Sequence, residues 1–210
     1  MTAPGGIRGV VLDFGGVVHD MRWDVARELE DAHQLPRGAI FETLYRTPAW
    51  DAIQCGRGDR QAWLDEAHRL LEARAGRPLP RVHEAWRRAQ HVIPETVALV
   101  RALRPAYRIA ILSNADATLP TRLRDGLGIH ELFDAVVCSA EVGMAKPDPA
   151  IYRLAAERLG LPPEACVFVD DSEPNVRAAE QVGMRGVFFR VDRGHDLRAM
   201  LAELGVRPPA

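Results

Sequence analysis

Five short apolar runs punctuate the chain: Ile7–Leu12, Arg108–Leu112, Ala135–Cys138, Cys166–Val169 and Gly186–Arg190. Each is too short for a helix, rich in β-branched or aromatic side chains, and followed by a polar or glycine turn. That is the pattern of strands buried on both faces of a parallel sheet. Around and between the last four lie stretches of helical period. Thr96–Leu103 places Val97, Val100 and Leu103 on one face and opens behind Pro94. Leu119–Leu127 has Pro120 in its first turn, where a missing N–H costs nothing. Pro147–Leu159 and Glu173–Val182 run out at Gly160 and Gly183, suited to the left-handed turn that ends a helix. Strand and helix in alternation predict an α/β fold with a doubly wound parallel sheet.

The first interval breaks this rhythm. From Arg22 to Gln90 the pattern is helical only, with helices expected over Trp23–His33, Arg37–Tyr45, Asp59–Ala75 and Arg81–Gln90. Breaks are expected at Pro36, Pro48, Gly56–Gly58 and Gly76–Pro80. The chain therefore divides into a core, residues 1–20 and 91–210, and a helical cap, residues 21–90. An insertion after the first strand lies over the C-terminal edge of the sheet, where α/β folds bind ligands. The tail Arg207–Ala210 reads as frayed.

Composition narrows the partners. With 47% hydrophobic and 27% charged residues the chain is ordinarily globular. A net charge of -2 argues against a nucleic-acid partner, which needs a concentrated basic surface, but not against a small anionic one. No apolar run approaches the ~18 residues of a membrane span, and Met1–Gly6 shows no secretory pattern. Cys138 and Cys166 sit in apolar runs and Cys55 stands apart, which reads as buried free thiols in a reducing cytoplasm. Of the 27 basic residues only Lys146 is lysine, a compact point charge that arginine's planar fork cannot copy.

The strand ends carry the chemistry. The first run ends in Asp13, the second in Ser113–Asn114, and the fourth in Asp170–Asp171, while Lys146 precedes a helix. In a parallel sheet all of these meet at one rim. Carboxylates gathered at one point repel, and a hard cation such as Mg²⁺ with oxygen ligands relieves the repulsion. Ser113 and backbone amides would bind phosphoryl oxygens, and Lys146 would offset developing charge. Asp13 attacking phosphorus would split hydrolysis into two steps through an aspartyl-phosphate. The expected partner is a small phosphorylated metabolite.

These four stretches, VVLDFGGVV, IAILSNA, GMAKPDPAIY and VFVDDSEPNV, resemble the four motifs of the haloacid dehalogenase (HAD) superfamily, over roughly Ile7–Arg190. They look particularly like the phosphatase domain fused to soluble epoxide hydrolases, and like small bacterial sugar-phosphate phosphatases. The resemblance implies a Rossmann-like core with Asp13 as nucleophile and metal ligand. It makes Ser113 the second-motif hydroxyl, Lys146 the third-motif lysine, and Asp171, helped by Asp170, the fourth-motif metal carboxylate. Asn114 joins Ser113 and Lys146 as a substrate contact, and the Gly15 backbone carbonyl is a further metal ligand.

One departure matters. Phosphatases of the superfamily usually carry a second Asp two residues after the nucleophile, to protonate the leaving group and activate water. Here that position is Gly15. Losing such a group typically costs about 10²–10⁴-fold in rate. Superfamily members that cleave carbon–halogen bonds also lack it, so a metal-independent 2-haloacid hydrolase and a non-catalytic binding module are the competing readings. The Asp170–Asp171 pair favours a metal. His19 and Asp20 are the obvious substitutes for the missing acid, although they read as a solvated flap. Asp116 and Arg57 read as solvated loop charges, and Trp50, Trp63 and Trp86 as packing in the cap.

Overall fold

The computed structural model describes residues 6–209, so all but Gly6 of the stretch read for a leader, and Ala210, lie outside it. In chain order the elements are β1 (Gly9–Leu12), β2 (His19–Asp20), α1 (Trp23–Ala32), α2 (Ala39–Tyr45), α3 (Pro48–Ile53), α4 (Arg60–Ala75) and α5 (Val82–Ala89). There follow β3 (His91–Val92), α6 (Pro94–Leu103), β4 (Arg108–Ser113), α7 (Leu119–Thr121) running into a π-helical turn (Arg122–Gly126), β5 (Ala135–Cys138) and α8 (Ser139–Val142). The chain closes with α9 (Pro149–Arg158), β6 (Cys166–Asp170), α10 (Glu173–Gln181), β7 (Arg185–Phe188) and α11 (Leu197–Glu203). Among the described residues no helix is long and apolar enough to cross a membrane.

All five predicted strands form one parallel sheet in the order β5-β4-β1-β6-β7. The chain reverses direction across the sheet at β1, the switch point that opens a ligand crevice at the strand C-termini. Side chains alternate between two apolar layers. Val10, Leu12, Ile109, Ile111, Val167 and Val169 point to one, with α6, α7 and α11. Val11, Ala110, Leu112 and Phe168 point to the other, with α9 and α10. Both faces are therefore dry, and for this reason the strands read as continuous apolar runs rather than as alternation.

Between β2 and β3 the five helices α1–α5 enclose a third apolar cluster of their own, built on Ile40, Leu44, Trp63, Leu71 and Trp86. Two short strands mark where this insertion leaves and rejoins the sheet: His19 and Asp20 pair antiparallel with Val92 and His91. Trp86 Nε1 donates to the Met21 carbonyl at 2.6 Å, tying the last insertion helix to that doorway. On the far side the loop after α3 meets the core. There Gly56, at φ +73°, lies against the Ala140 carbonyl so closely that no Cβ would fit.

Three details depart from the sequence reading. Pro48 does not break the chain; it is the first residue of α3, whose cap Thr47 accepts from the Trp50 amide at 3.2 Å. The tail is not frayed at its start, since Val206 is buried and the Arg207 amide donates to Tyr107 Oη at 3.2 Å. Leu119–Leu127 is helical, but only its first turn is α, and the Leu127 amide reaches back five residues to the Arg122 carbonyl.

Glu30 is the buried acid of the insertion. Its carboxylate accepts from the Gly38 and Ile40 amides at 3.0 and 3.1 Å, satisfying orphan donors at the start of α2 from the neighbouring helix. Glu30→Ala leaves both amides without an acceptor, which costs about 1–3 kcal/mol each when buried. Urea unfolding should show a loss of roughly 2–4 kcal/mol, and an unchanged midpoint would show that water replaces the carboxylate.

Candidate active site

Asp13 follows β1 directly, and its amide donates to the Val169 carbonyl at 2.8 Å, which continues the sheet register one residue past the strand. Ser113 and Asp170 are the last residues of β4 and β6, on either side. Lys146 arrives on the loop before α9. Asn114 fixes that loop: its side-chain oxygen accepts from the Lys146 amide at 2.8 Å and its nitrogen donates to the Lys146 carbonyl at 2.9 Å. The lysine ammonium then lies 2.9 Å from Asp13 Oδ1 and 2.6 Å from Asp170 Oδ2. Asn114, expected to contact substrate, directs its amide to the Lys146 backbone instead.

The two neighbouring carboxylates of the fourth strand differ in what they touch. Asp170 is fully buried and engaged on both oxygens, by Lys146, the Ser172 amide at 2.8 Å and Asn175 Nδ2 at 3.1 and 3.2 Å. Asp171 is half-buried and has no hydrogen-bond partner among the described residues. Oxygens of Asp13, Asp170 and Asp171 all lie within 4.8 Å of one another. Asp13 Oδ1 is held by Lys146 and by the Phe14 amide at 2.7 Å, which leaves Oδ2 without a donor. The turn beyond it is shaped by Gly16. At φ +79°, a Cβ there would lie 2.5 Å from Asp171 Oδ2, so only glycine lets Asp171 approach. The Gly15 carbonyl and Ser113 Oγ carry no hydrogen bond among the described residues.

A family model for haloacid dehalogenase-like hydrolases matches residues 7–183. The chain belongs to this family. Among its relatives is a phosphoserine phosphatase of Thermus thermophilus, 35% identical over 158 residues, which are 71% of this chain and 61% of that protein. The chain thus spans less than two thirds of the relative's length. A HAD-family enzyme of Bacteroides thetaiotaomicron, solved with magnesium and inorganic phosphate, superposes with a TM-score of 0.69 at 21% identity, over 93% of this chain and 99% of that one. The L-2-haloacid dehalogenase of Xanthobacter autotrophicus gives a TM-score of 0.59 at 25% identity, over 85% of this chain and 75% of that one.

In this HAD-like hydrolase the rim opens into a cleft of about 1100 Å³ between the strand ends and the helical insertion. Several side chains lie elsewhere than the sequence suggested. His19 is not a solvated flap residue; it is buried, with its ring stacked 4.8 Å from that of Phe14. Asp20 accepts from the Arg22 amide at 2.8 Å. Asp116 is also buried rather than solvated. It pairs with Arg60 Nε at 3.4 Å and accepts from the Thr118 amide and hydroxyl. Arg57 is exposed, in keeping with its reading as a solvated loop charge, and does not line the cleft; it is Arg60, the first residue of α4, that reaches Asp116. Trp86 is fully buried, whereas Trp50 and Trp63 pack and also wall the cleft. Sequence reasoning missed Asn175, Arg87 and Arg122. Asn175 lies inside the quoted fourth motif, but the two arginines had no signal among so many.

Burial pushes the Asp171 carboxyl up to about 7, reinforced by Asp13 and Asp170. Burial likewise raises Asp13 to about 6, with Lys146 opposing and Asp170 assisting. Burial would lower the Lys146 ammonium, but the Asp13 and Asp170 carboxylates outweigh it and hold the lysine charged. His19 is lowered to about 4 by burial and by the nearby Arg122 and His91. The site wants a positive charge that the chain does not supply.

The raised carboxyls have a consequence for the metal-free protein. Asp171 keeps its proton to about 7 when folded but loses it near 3.8 when unfolded, so its contribution is full at low pH and is lost as pH rises toward 7. His19 and His83, both lowered to about 4 by burial, tilt stability the other way and cancel in a comparison of variants. In chelator, Asp171→Asn should therefore melt above the parent at pH 8 by a few degrees, at about 2–4 °C per kcal/mol, and by little at pH 5. An equal difference at both pH values would show that Asp171 is not protonated in the fold.

Proposed function

We propose that this HAD-like hydrolase is a Mg²⁺-dependent phosphatase of a small phosphorylated metabolite, with residues 21–90 closing as a cap over a core of 1–20 and 91–210. The observation that carries it is the unpartnered Asp171 carboxylate beside Asp13, with Asp170 already saturated. Three carboxylates against one lysine leave two negative charges, a donor set that suits a hard divalent ion. Asp13, Asp171 and the Gly15 carbonyl would hold it, and Asp170 serves Lys146 instead. When bound, the ion supplies charge that lets an anionic phosphoryl group approach an anionic nucleophile. The phosphoserine phosphatase among the relatives and the magnesium and phosphate found in the Bacteroides enzyme support this reading over the dehalogenase one.

The chain's own groups then have distinct parts. Lys146 and the Phe14 amide anchor Asp13 Oδ1, which aims Oδ2 at phosphorus. The new O–P bond forms as the ester O–P bond breaks, and the alcohol leaves with a proton it must acquire. Ser113 Oγ and Lys146 would bind phosphoryl oxygens as charge develops. Water then attacks the aspartyl-phosphate at phosphorus, which returns Asp13 and releases phosphate. Asn114 and Asp170 act through the lysine, one on its backbone and one on its ammonium, as positioning residues.

Hydrolysis of an aryl phosphate should require Mg²⁺ and disappear in Asp13→Asn. Activity that persists in chelator would overturn the metal-dependent reading, and halide release from a 2-haloacid in chelator would replace it. The weak step is proton transfer, because Gly15 offers no side chain. A Cβ at position 15 would meet only the flexible end of Met21, with Sδ at 3.3 Å, so a carboxylate can be restored there. Gly15→Asp should raise the turnover of alkyl phosphates by about tenfold or more, within the usual range for general acid–base catalysis. Aryl phosphates, whose leaving groups need no proton, should gain less. Equal rates for the two proteins would mean that another group already moves the proton.

A further inference from the structure

The cleft has a second charged end. Arg122, at the start of the π-helical turn, holds its guanidinium carbon 5.3 Å from the ring centroid of Phe14, the residue next to Asp13. Arg87 lines the same cleft from α5, and Tyr45 from α2. Neither arginine has an ion pair or side-chain hydrogen bond among the described residues, and the Tyr45 hydroxyl has no partner there either. Tyr45 is fixed in place by rings around it, Trp50 at 4.9 Å, Phe41 at 5.3 Å and Trp63 at 6.1 Å between centroids.

The nearby acid does not account for these charges. Asp116 gives one oxygen to Thr118 and the other to Arg60. Three guanidiniums against one carboxylate leave two positive charges in excess. Of the other charged groups on the cleft wall, Glu173 pairs with Arg177 and Arg190 with Asp192, while Arg46, over the Phe41 ring, and Asp51, which accepts from Gln54, have no ion pair among the described residues and offset one another in the sum. Burial and the facing Arg87 both work against the charge on Arg122. Two like charges in a half-buried wall raise the energy of the empty cleft, and an anion between them removes the cost.

We propose that Arg87, Arg122 and Tyr45 form a receptor for a second anionic group, so that the substrate is a phosphomonoester carrying a carboxylate on a short spacer. This rests on the phosphatase reading of the same cleft. A carboxylate matches the planar fork of a guanidinium in two parallel hydrogen bonds and accepts a third from a phenol. The spacer is short because Arg122 lies over the residue adjoining the nucleophile. The transferred phosphoryl group has its own cation in Lys146, so the arginines are free for the other end of the molecule.

The test compares esters that differ in that one charge: phosphoglycolate with ethyl phosphate, and 3-phosphoglycerate with glycerol 3-phosphate, with Mg²⁺ present. The carboxylated member of at least one pair should be favoured about 30-fold or more in kcat/KM, the scale of a desolvated charged hydrogen bond. Arg87→Gln and Arg122→Gln should each cut that ratio about tenfold, and Tyr45→Phe about threefold. Because no ion pair or hydrogen bond is lost, and Arg122 gives up only its contact with the Phe14 ring, the arginine variants should melt within about 4 °C of the parent; a larger fall in Tm would show that the arginines hold the fold. Turnover of both members within about threefold, or a preference that survives both arginine variants, overturns the receptor and leaves the phosphatase standing. Binding of phosphoglycolate and ethyl phosphate to Asp13→Asn with Mg²⁺, by calorimetry, separates the two claims. A preference that needs Arg122, in a protein whose parent hydrolyses none of these esters, keeps the receptor and overturns the phosphatase. No preference in binding or in turnover overturns the receptor.

Discussion

One ammonium group lies between two carboxylates, 2.9 Å from Asp13 and 2.6 Å from Asp170, where water hardly reaches. Burying a carboxylate without a partner is costly. Held together by Lys146 the two acids form a three-centre network whose parts cannot be removed singly, because each deletion strands a buried charge. Much of the surrounding structure serves this contact. Asn114 clasps the backbone that delivers the lysine, while Ser172 and Asn175 satisfy the Asp170 oxygens that the lysine leaves open. The network explains why two adjacent aspartates at one strand end have different tasks: Asp170 faces the lysine and is spoken for, whereas Asp171 faces the cleft.

The core was legible because its central strands β1, β4 and β6 are dry on both faces over almost their whole length and each runs out at the rim on a polar residue. Those two signals survive without knowledge of tertiary contacts, and they located Asp13, Ser113, Lys146, Asp170 and Asp171 at one edge. Elements defined by pairing across long stretches of chain were not legible. Strands β2 and β3 have two residues each and exist because His19 and Val92 meet across the insertion. Helix α3 was hidden because Pro48, a breaker inside a helix, is a good first residue. Side chains such as His19 and Asp116 looked solvated because nothing local reveals that the insertion covers them.

Two adjacent glycines show opposite constraints. At position 16 the backbone is left-handed and Asp171 crowds the site, so glycine is required by geometry. At position 15 neither constraint applies: the backbone is ordinary and a side chain would meet only the end of Met21. Glycine at 15 is therefore not dictated by the fold. On the proposed reading its cost falls on the chemistry, because the backbone carbonyl that would ligate the metal is kept whereas a proton-transferring carboxylate is not.

The two ends of the cleft have opposite unmet charge. At the sheet rim three carboxylates face one lysine and lack positive charge; under the insertion three arginines face one aspartate and lack negative charge. The two ends do not pair with one another: among the described residues Arg87 and Arg122 have no ion pair, and the carboxylates of Asp13 and Asp170 are bound to Lys146. A cation at the rim and an anion under the insertion would satisfy both. A molecule that carries phosphate to the first and a carboxylate to the second would span the cleft and draw the insertion helices onto the strand ends. Recognition and closure would then be a single electrostatic event, with the nucleophile shielded from water only when both ends of the molecule are in place.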